Sequence, residues 1–263
     1  MTNNVLTILA SLSDWTAPEV DNGTMMHGDM PGDKIEIGDS HKQKAATVFP
    51  VLVEKLKAVM ENHPHQRAVV CVCGGSGVGK SEIASLLGEY LQKAGVGSYV
   101  LSGDNYPHRI PAQNDAERLR VFRCGGVRGL VAGGVYSEEV KASLRTLQEQ
   151  DTDASPALCA EHPWLAVYQK EGKKALSGYL GTDREQNFEE LSAIISQFKN
   201  GAKEIYLKRM GRTPLDLWYD LVDFSEKKVL LIEWTHGNSN GFSGVDIPVL
   251  LNSTPQETLE HRR

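Results

Sequence analysis

Apolar positions along this chain alternate between short continuous runs and longer stripes at helical spacing. The runs Val69-Val70-Cys71-Val72-Cys73, Ser98-Tyr99-Val100-Leu101-Ser102 and Lys228-Val229-Leu230-Leu231-Ile232-Glu233 read as strands, the first short and buried, the last covered on both faces. Val245 to Leu251 is a further strand candidate. Helical spacing marks Val48, Leu52, Val53, Leu56, Val59 and Met60, where Pro50 either starts the helix or kinks it. Ile83, Leu86, Leu87, Tyr90 and Leu91 mark a second helix, and Phe188, Leu191, Ile195 and Phe198 another. Asn114 to Phe122, Ser137 to Gln148 and Pro156 to Lys170 add helical candidates, and a last helix is expected from Pro255 to Arg263. Between 125 and 134 the glycine-spaced stretch reads as non-helical, either a mobile loop over a substrate or a surface connection.

Strands that alternate with helices predict an α/β fold with a mostly parallel sheet. A three-layer α/β/α domain is expected over residues 66–263, with a helical insertion around 123–200. Residues 1–65 read as a partly helical N-terminal extension whose first 40 positions show little periodicity.

The first strand runs straight into Gly74-Gly75-Ser76-Gly77-Val78-Gly79-Lys80-Ser81, followed by Glu82 and the helix. This is the phosphate-binding pattern G-x-x-x-x-G-K-[ST] in its required strand–turn–helix context. Glycines allow backbone N–H groups to converge on an anion, and the helix start adds unpaired N–H groups and its dipole. Lys80 can reach the β- and γ-phosphates, and the Ser81 hydroxyl can ligate Mg²⁺. The chain is therefore expected to bind a nucleoside triphosphate through residues 74–82.

Two carboxylates stand at strand ends, where open α/β sheets bind ligands. Asp104 follows the strand ending at Ser102, and is either placed for chemistry or simply part of a Gly-Asp-Asn turn. Glu233 ends the strand from 228 and can hold Mg²⁺ beside a triphosphate. Tyr106, His108 and Arg109 near the first carboxylate, and His236 after the second, are candidate acceptor contacts.

Composition narrows the partners. A formal net charge of −6 over 263 residues, with no basic run except Arg262-Arg263, argues against nucleic acid. The four cysteines form no zinc spacing, and nothing approaches a membrane span, so a cytoplasmic protein is expected. A homo-oligomer is left open. No Asn-Lys-x-Asp segment supports guanine reading.

The order of phosphate loop, Ser102-Gly103-Asp104-x-Tyr106, Val229 to Glu233, and a strand running towards Arg262-Arg263 resembles the uridine kinase and phosphoribulokinase family of P-loop kinases. The resemblance spans about residues 67 to 263. It implies an ATP- and Mg²⁺-dependent kinase acting on a hydroxyl of a small-molecule acceptor, a nucleoside, a sugar or a related metabolite. It implies Asp104 as general base, Glu233 as the acid that organises Mg²⁺ and substrate, and Asp183 with Phe188 as a loose match to the substrate segment. Trp234 departs from the glycine usual after the strand-ending acid. The family's arginine-bearing lid would begin near Arg262 and Arg263, or its role would pass to Arg123 or Arg128. The alternative is a P-loop regulatory protein or an NTP hydrolase without an acceptor.

Overall fold

The computed structural model describes residues 4–20, 25, 27–213 and 215–252. The expected last helix and Arg262-Arg263 lie outside them. The chain forms two compact units, Met1–Tyr106 with Asn187–Arg263, and Pro107–Gln186.

The first unit is built on four parallel strands in the order β2-β5-β1-β6. These are β1 (Ala68–Gly74), β2 (Ser98–Ser102), β5 (Val229–Trp234) and β6 (Ile247–Leu251). Every residue of β5 is buried, as its unbroken apolar run requires of a strand covered on both faces. On one face Val70, Val72, Leu231 and Ile247 pack with helices α2 (Asp39–Glu61) and α3 (Lys80–Lys93). On the other, Val69, Cys71, Leu230 and Ile232 meet α7 (Phe188–Lys199) and strand β3 (Glu204–Met210). The result is the three-layer α/β/α arrangement with a parallel central sheet. Strand β3 pairs antiparallel with β4 (Leu217–Asp223), outside the main sheet.

Two sequence expectations change at the N-terminus. Helix α2 runs through Pro50, which is exposed, and buries Phe49, Leu52, Leu56 and Met60 in the same cluster as β1 and α3. A helix start at Pro50 is therefore wrong. The aperiodic first 40 residues contain a short helix, α1 (Val5–Ala10), capped by the Asn4 side chain and held by buried Val5 and Leu9. Six residues are too few to show a stripe. Arg67 then locks the entry to β1, donating at 2.7–2.8 Å to the carbonyls of Phe198, Ala202 and Phe224.

The chain leaves this unit after Tyr106 and returns at Asn187, whose N–H donates to the Tyr106 carbonyl at 2.7 Å. In between, the second unit comprises α4 (Pro111–Ala132), α5 (Glu138–Glu149) and α6 (Trp164–Ser177). The expected helix from Pro156 breaks into a 3₁₀ turn, Pro156–Cys159, and α6, with Pro163 at the cap position of α6.

The glycine-spaced stretch is the larger correction. It is neither loop nor connection but the second half of α4. A Cβ on Gly125 would lie 2.3 Å from Ala175 Cβ, on Gly126 2.4 Å from the Tyr168 ring, and on Gly129 2.5 Å from Glu171 Cβ. The glycines let α4 and α6 approach to backbone contact, and that packing offsets their poor helix propensity. Arg123, on the same helix, is bound by Asp151, Asp153 and the Gln148 carbonyl at 2.9–3.2 Å, which makes it structural.

The substitution Gly126→Ala separates the two readings. In a loop or an exposed helix, alanine is neutral or stabilising by about 1 kcal/mol. Against the Tyr168 ring we expect a loss of about 1–3 kcal/mol from overpacking, read by urea unfolding. Unchanged or raised stability would refute the packing account.

Candidate active site

The phosphate loop is shaped by its glycines. Gly77 and Gly79 have φ of 75° and 86°, in the region that favours glycine. Gly74, at φ 152°, also allows close approach, since a Cβ there would lie 2.4 Å from the Leu251 carbonyl oxygen of β6. Lys80 opens α3 and donates from Nζ to the Gly75 carbonyl at 2.9 Å, closing the loop on itself.

Glu233 lies one strand away. Because β5 runs between β1 and β2, the register sets Glu233 level with Val72 on one side and Ser102 on the other. Its carboxylate accepts from Ser81 Oγ at 3.1 Å and, through its second oxygen, from Ser102 Oγ. Only 3% of Glu233 is exposed. Burial pushes its carboxyl up to about 7, with the nearby Asp104 charge adding to the rise and the two serine hydroxyls opposing it.

Asp104 is exposed in the 3₁₀ turn Gly103–Asn105 that follows β2. Its charge raises the carboxyls of both Glu233 and Asp33, which places it at the same edge of the sheet. Beneath the turn lies Trp234, buried against Phe188 and Phe242, with its ring 2.1 Å from where a Gly103 Cβ would stand. The tryptophan thus shapes the floor of the turn and makes glycine obligatory at 103. His236 stands edge-on to Trp234, with ring centroids 5.6 Å apart.

The remaining expected contacts divide between the core of the first unit and the second unit. Tyr106 is fully buried among Phe188, Leu191 and Leu207, so it acts in the core rather than at a surface. His108 and Arg109 belong to the second unit, where His108 Nε2 pairs with the Asp183 carbonyl at 2.8 Å and Arg109 donates to the Tyr179 hydroxyl at 3.2 Å. Arg128 lines a cavity of about 620 Å³ in that unit, with Arg120, Lys174 and Arg184.

Two residues of the edge carried no sequence signal. Asp29 is 9% exposed at its side chain and takes hydrogen bonds from the Ser102 N–H (2.8 Å), Asn105 Nδ2 (3.0 Å) and the Tyr99 hydroxyl (2.9 Å), with Arg209 Nη1 at 2.8 Å. It fixes the end of β2 and the turn that carries Asp104. Gly28, beside it, passes so close that a Cβ would lie 3.1 Å from Glu233 Oε1. Both fall in the aperiodic N-terminal stretch, where only the fold reveals their neighbours.

Strand, glycine loop, helix and strand-ending acid define a P-loop nucleotide-binding protein. Several known proteins are similar to this chain. The adenylylsulphate kinase family model matches residues 66–119. A bifunctional α-galactosidase/sucrose kinase of Mediterraneibacter gnavus is 35% identical over 211 residues, 80% of this chain and 18% of that protein. The chain thus spans about a fifth of that relative's length. An adenylyl-sulfate kinase of Escherichia coli O1:K1 is 29% identical over 142 residues, 47% of this chain and 71% of that enzyme. Among solved structures, a possible uridine kinase from Bacillus stearothermophilus aligns over 80% of this chain and 85% of its own, with a TM-score of 0.42 and 13% identity. Among the described residues, no helix is long and apolar enough to cross a membrane.

Glu233 makes stability depend on pH. Its folded value of about 7 lies above the ordinary 4.5, so the folded chain holds the proton more tightly than the unfolded chain. Stability should therefore fall as pH rises from about 4.5 to about 7 and then level off, by up to about 3 kcal/mol. Thermal unfolding in EDTA should show the gap between Glu233→Gln and wild type widening in favour of the variant across that window. Parallel curves would mean that Glu233 is ionised throughout.

Proposed function

We propose that the chain is an ATP- and Mg²⁺-dependent kinase that transfers the γ-phosphoryl group to a hydroxyl of a carbohydrate. The observation that carries this reading is the buried carboxylate of Glu233 bonded to the Ser81 hydroxyl beside an intact phosphate loop. A hydroxyl and a carboxylate offer the oxygen donors that Mg²⁺ takes when most of its other ligands are water and phosphate. Ser81 and Glu233 would hold it, and bound there it would offset charge on the β- and γ-phosphates.

Phosphoryl transfer asks the protein mainly for positioning and charge stabilisation. The backbone N–H groups of Gly74 to Lys80 orient the triphosphate, and Lys80 exchanges the Gly75 carbonyl for phosphate oxygen. Asp104 accepts the proton of the acceptor hydroxyl as the new O–P bond forms and the bond from the γ-phosphorus to the leaving ADP breaks. Its exposed position and the acid-lined surroundings of Asp33 and Glu233 suit a neutral polyol. The carbohydrate assignment draws on the sucrose kinase relative.

Release of ADP tests the proposal. With Mg²⁺ and ATP, sucrose or another sugar should raise ADP release well above the rate in water alone, with a phosphomonoester appearing in the phosphorus spectrum. Release only with adenylyl sulfate or a nucleoside would overturn the carbohydrate assignment, and acceptor-independent release would overturn the kinase. Asp104→Asn should lower turnover by about 10²–10⁴-fold while leaving ATP affinity near wild type. Lys80→Ala should instead abolish tight ATP binding with the fold intact, as calorimetry and circular dichroism would show.

A further inference from the structure

The second unit holds a cavity of its own, about 620 Å³, within the size range of small-molecule sites. It shares no residue with the phosphate loop, Asp104 or Glu233. Helices α4 and α6 form its walls. Gly125 stands against Ala175 and Gly129 against Glu171, so the two helices run antiparallel and their small residues make the floor. Arg120, Cys124 and Arg128 recur at i, i+4 and i+8 on one face of α4. The two arginines are thus about 12 Å apart along the helix axis.

Charge along the cavity is uneven. Four cations line it, Arg120, Arg128, Lys174 and Arg184, against one carboxylate among the described residues, Glu171, in a chain whose net charge is −6. Arg120 and Arg184 stand at one end. Glu117 holds Arg120 through Nε and Nη2 at 2.6 and 2.7 Å, which leaves Nη1 on the cavity side, 3.9 Å from Cys124 Sγ. The Arg120 hydrogen bonds lower the Glu117 carboxyl, and the Arg184 charge adds to that effect from the same end. The Arg184 guanidinium sits over the Tyr179 ring, 5.4 Å from its centroid, a contact that uses the π face and leaves the N–H fork for a ligand. Lys174, next to Ala175, is level with Gly125 and lies 3.9 Å from Glu171, too far for a hydrogen bond. At the other end Arg128 makes no hydrogen bond or ion pair among the described residues, and Glu171 stands level with it against Gly129.

A phosphomonoester carries between one and two negative charges at neutral pH and three acceptor oxygens, which matches three cations at one end. Arg128 and Glu171 offer donors and an acceptor to hydroxyls at the other end. We propose that the cavity between α4 and α6 binds a phosphorylated sugar, its phosphate at Arg120, Lys174 and Arg184 and its hydroxyls at Arg128 and Glu171. Such a ligand ties α4 to α6 across the glycine seam. Sugar phosphates are also the class of product that the proposed reaction releases, so the chain recognises that class through residues outside its phosphate loop. That link rests on the kinase reading, whereas the binding does not.

Calorimetric titration of the full chain with glucose 6-phosphate, sucrose 6-phosphate, glucose and inorganic phosphate tests the site. One of the sugar phosphates should bind at least tenfold more tightly than inorganic phosphate, and glucose should give no measurable heat. Arg120→Gln should weaken the sugar phosphate and inorganic phosphate together by about tenfold, as loss of a charge-assisted hydrogen bond requires. Arg128→Gln should weaken the sugar phosphate at least fivefold and leave inorganic phosphate within twofold. Both arginines are exposed on α4 and glutamine is a good helix former, so circular dichroism should show both variants folded. The exposed Cys124 thiol reports the location, because bound sugar phosphate should slow its reaction with neutral N-ethylmaleimide at least threefold. Inorganic phosphate binding as tightly as the sugar phosphates, or no binding by any of them, would overturn the proposal. Binding that leaves Cys124 unprotected, or that is unchanged in both variants, would place the ligand elsewhere in the chain and overturn it equally. Sugar-dependent ADP release is a separate measurement, so failure of either reading leaves the other standing.

Discussion

A carboxylate with almost no exposure to water is costly to bury, and the organisation of the first unit follows from how Glu233 is held. Its two oxygens take hydroxyl donors from different elements, Ser81 at the start of α3 and Ser102 at the end of β2. Only a strand lying between β1 and β2 could reach both, and the parallel register of β5 meets that requirement. The hydroxyls oppose the rise that burial imposes without cancelling it. The strand order, the glycine-tight backbone at Gly28 and the position of the phosphate loop therefore answer to one side chain.

Asp29 extends the same logic outward. It gathers an N–H from the end of β2, the Asn105 amide of the following turn, the Tyr99 hydroxyl and the Arg209 guanidinium of β3. The turn carrying Asp104 is thus bound from one side by the N-terminal segment and supported from below by Trp234. Residues 28 and 29, 81, 102 to 105, and 233 and 234 meet at one edge although most of the chain separates them.

How much of this could be read from sequence follows from the range of each interaction. The strands at 69–73 and 229–233 are buried throughout, so their apolar runs are unbroken and visible, and 98–102 is buried at all but Tyr99. The phosphate loop is local, and its pattern is complete within eight residues. The glycines of α4 misled because their reason lies across the helix interface, in Tyr168, Glu171 and Ala175. Propensity sees only the helix they weaken. Asp29 was silent for a similar reason, since its four partners lie between Tyr99 and Arg209 and none is its sequence neighbour. Strand β4 escaped notice because most of its side chains are exposed and it is specified by pairing with β3. Tyr106 misled in the opposite sense, its place beside Asp104 in sequence suggesting a surface that its burial denies.

The hydrogen bond from Asn187 to the Tyr106 carbonyl has a consequence for how such a chain can diversify. The first unit opens and closes at adjacent points, so everything from Pro107 to Gln186 leaves through a doorway one hydrogen bond wide. Lengthening, shortening or exchanging that stretch leaves both doorposts in place, since Tyr106 and Asn187 belong to the first unit. A lineage, or an engineer, can rebuild the α4–α6 pair as a cartridge strung between two fixed points of the phosphate-handling unit.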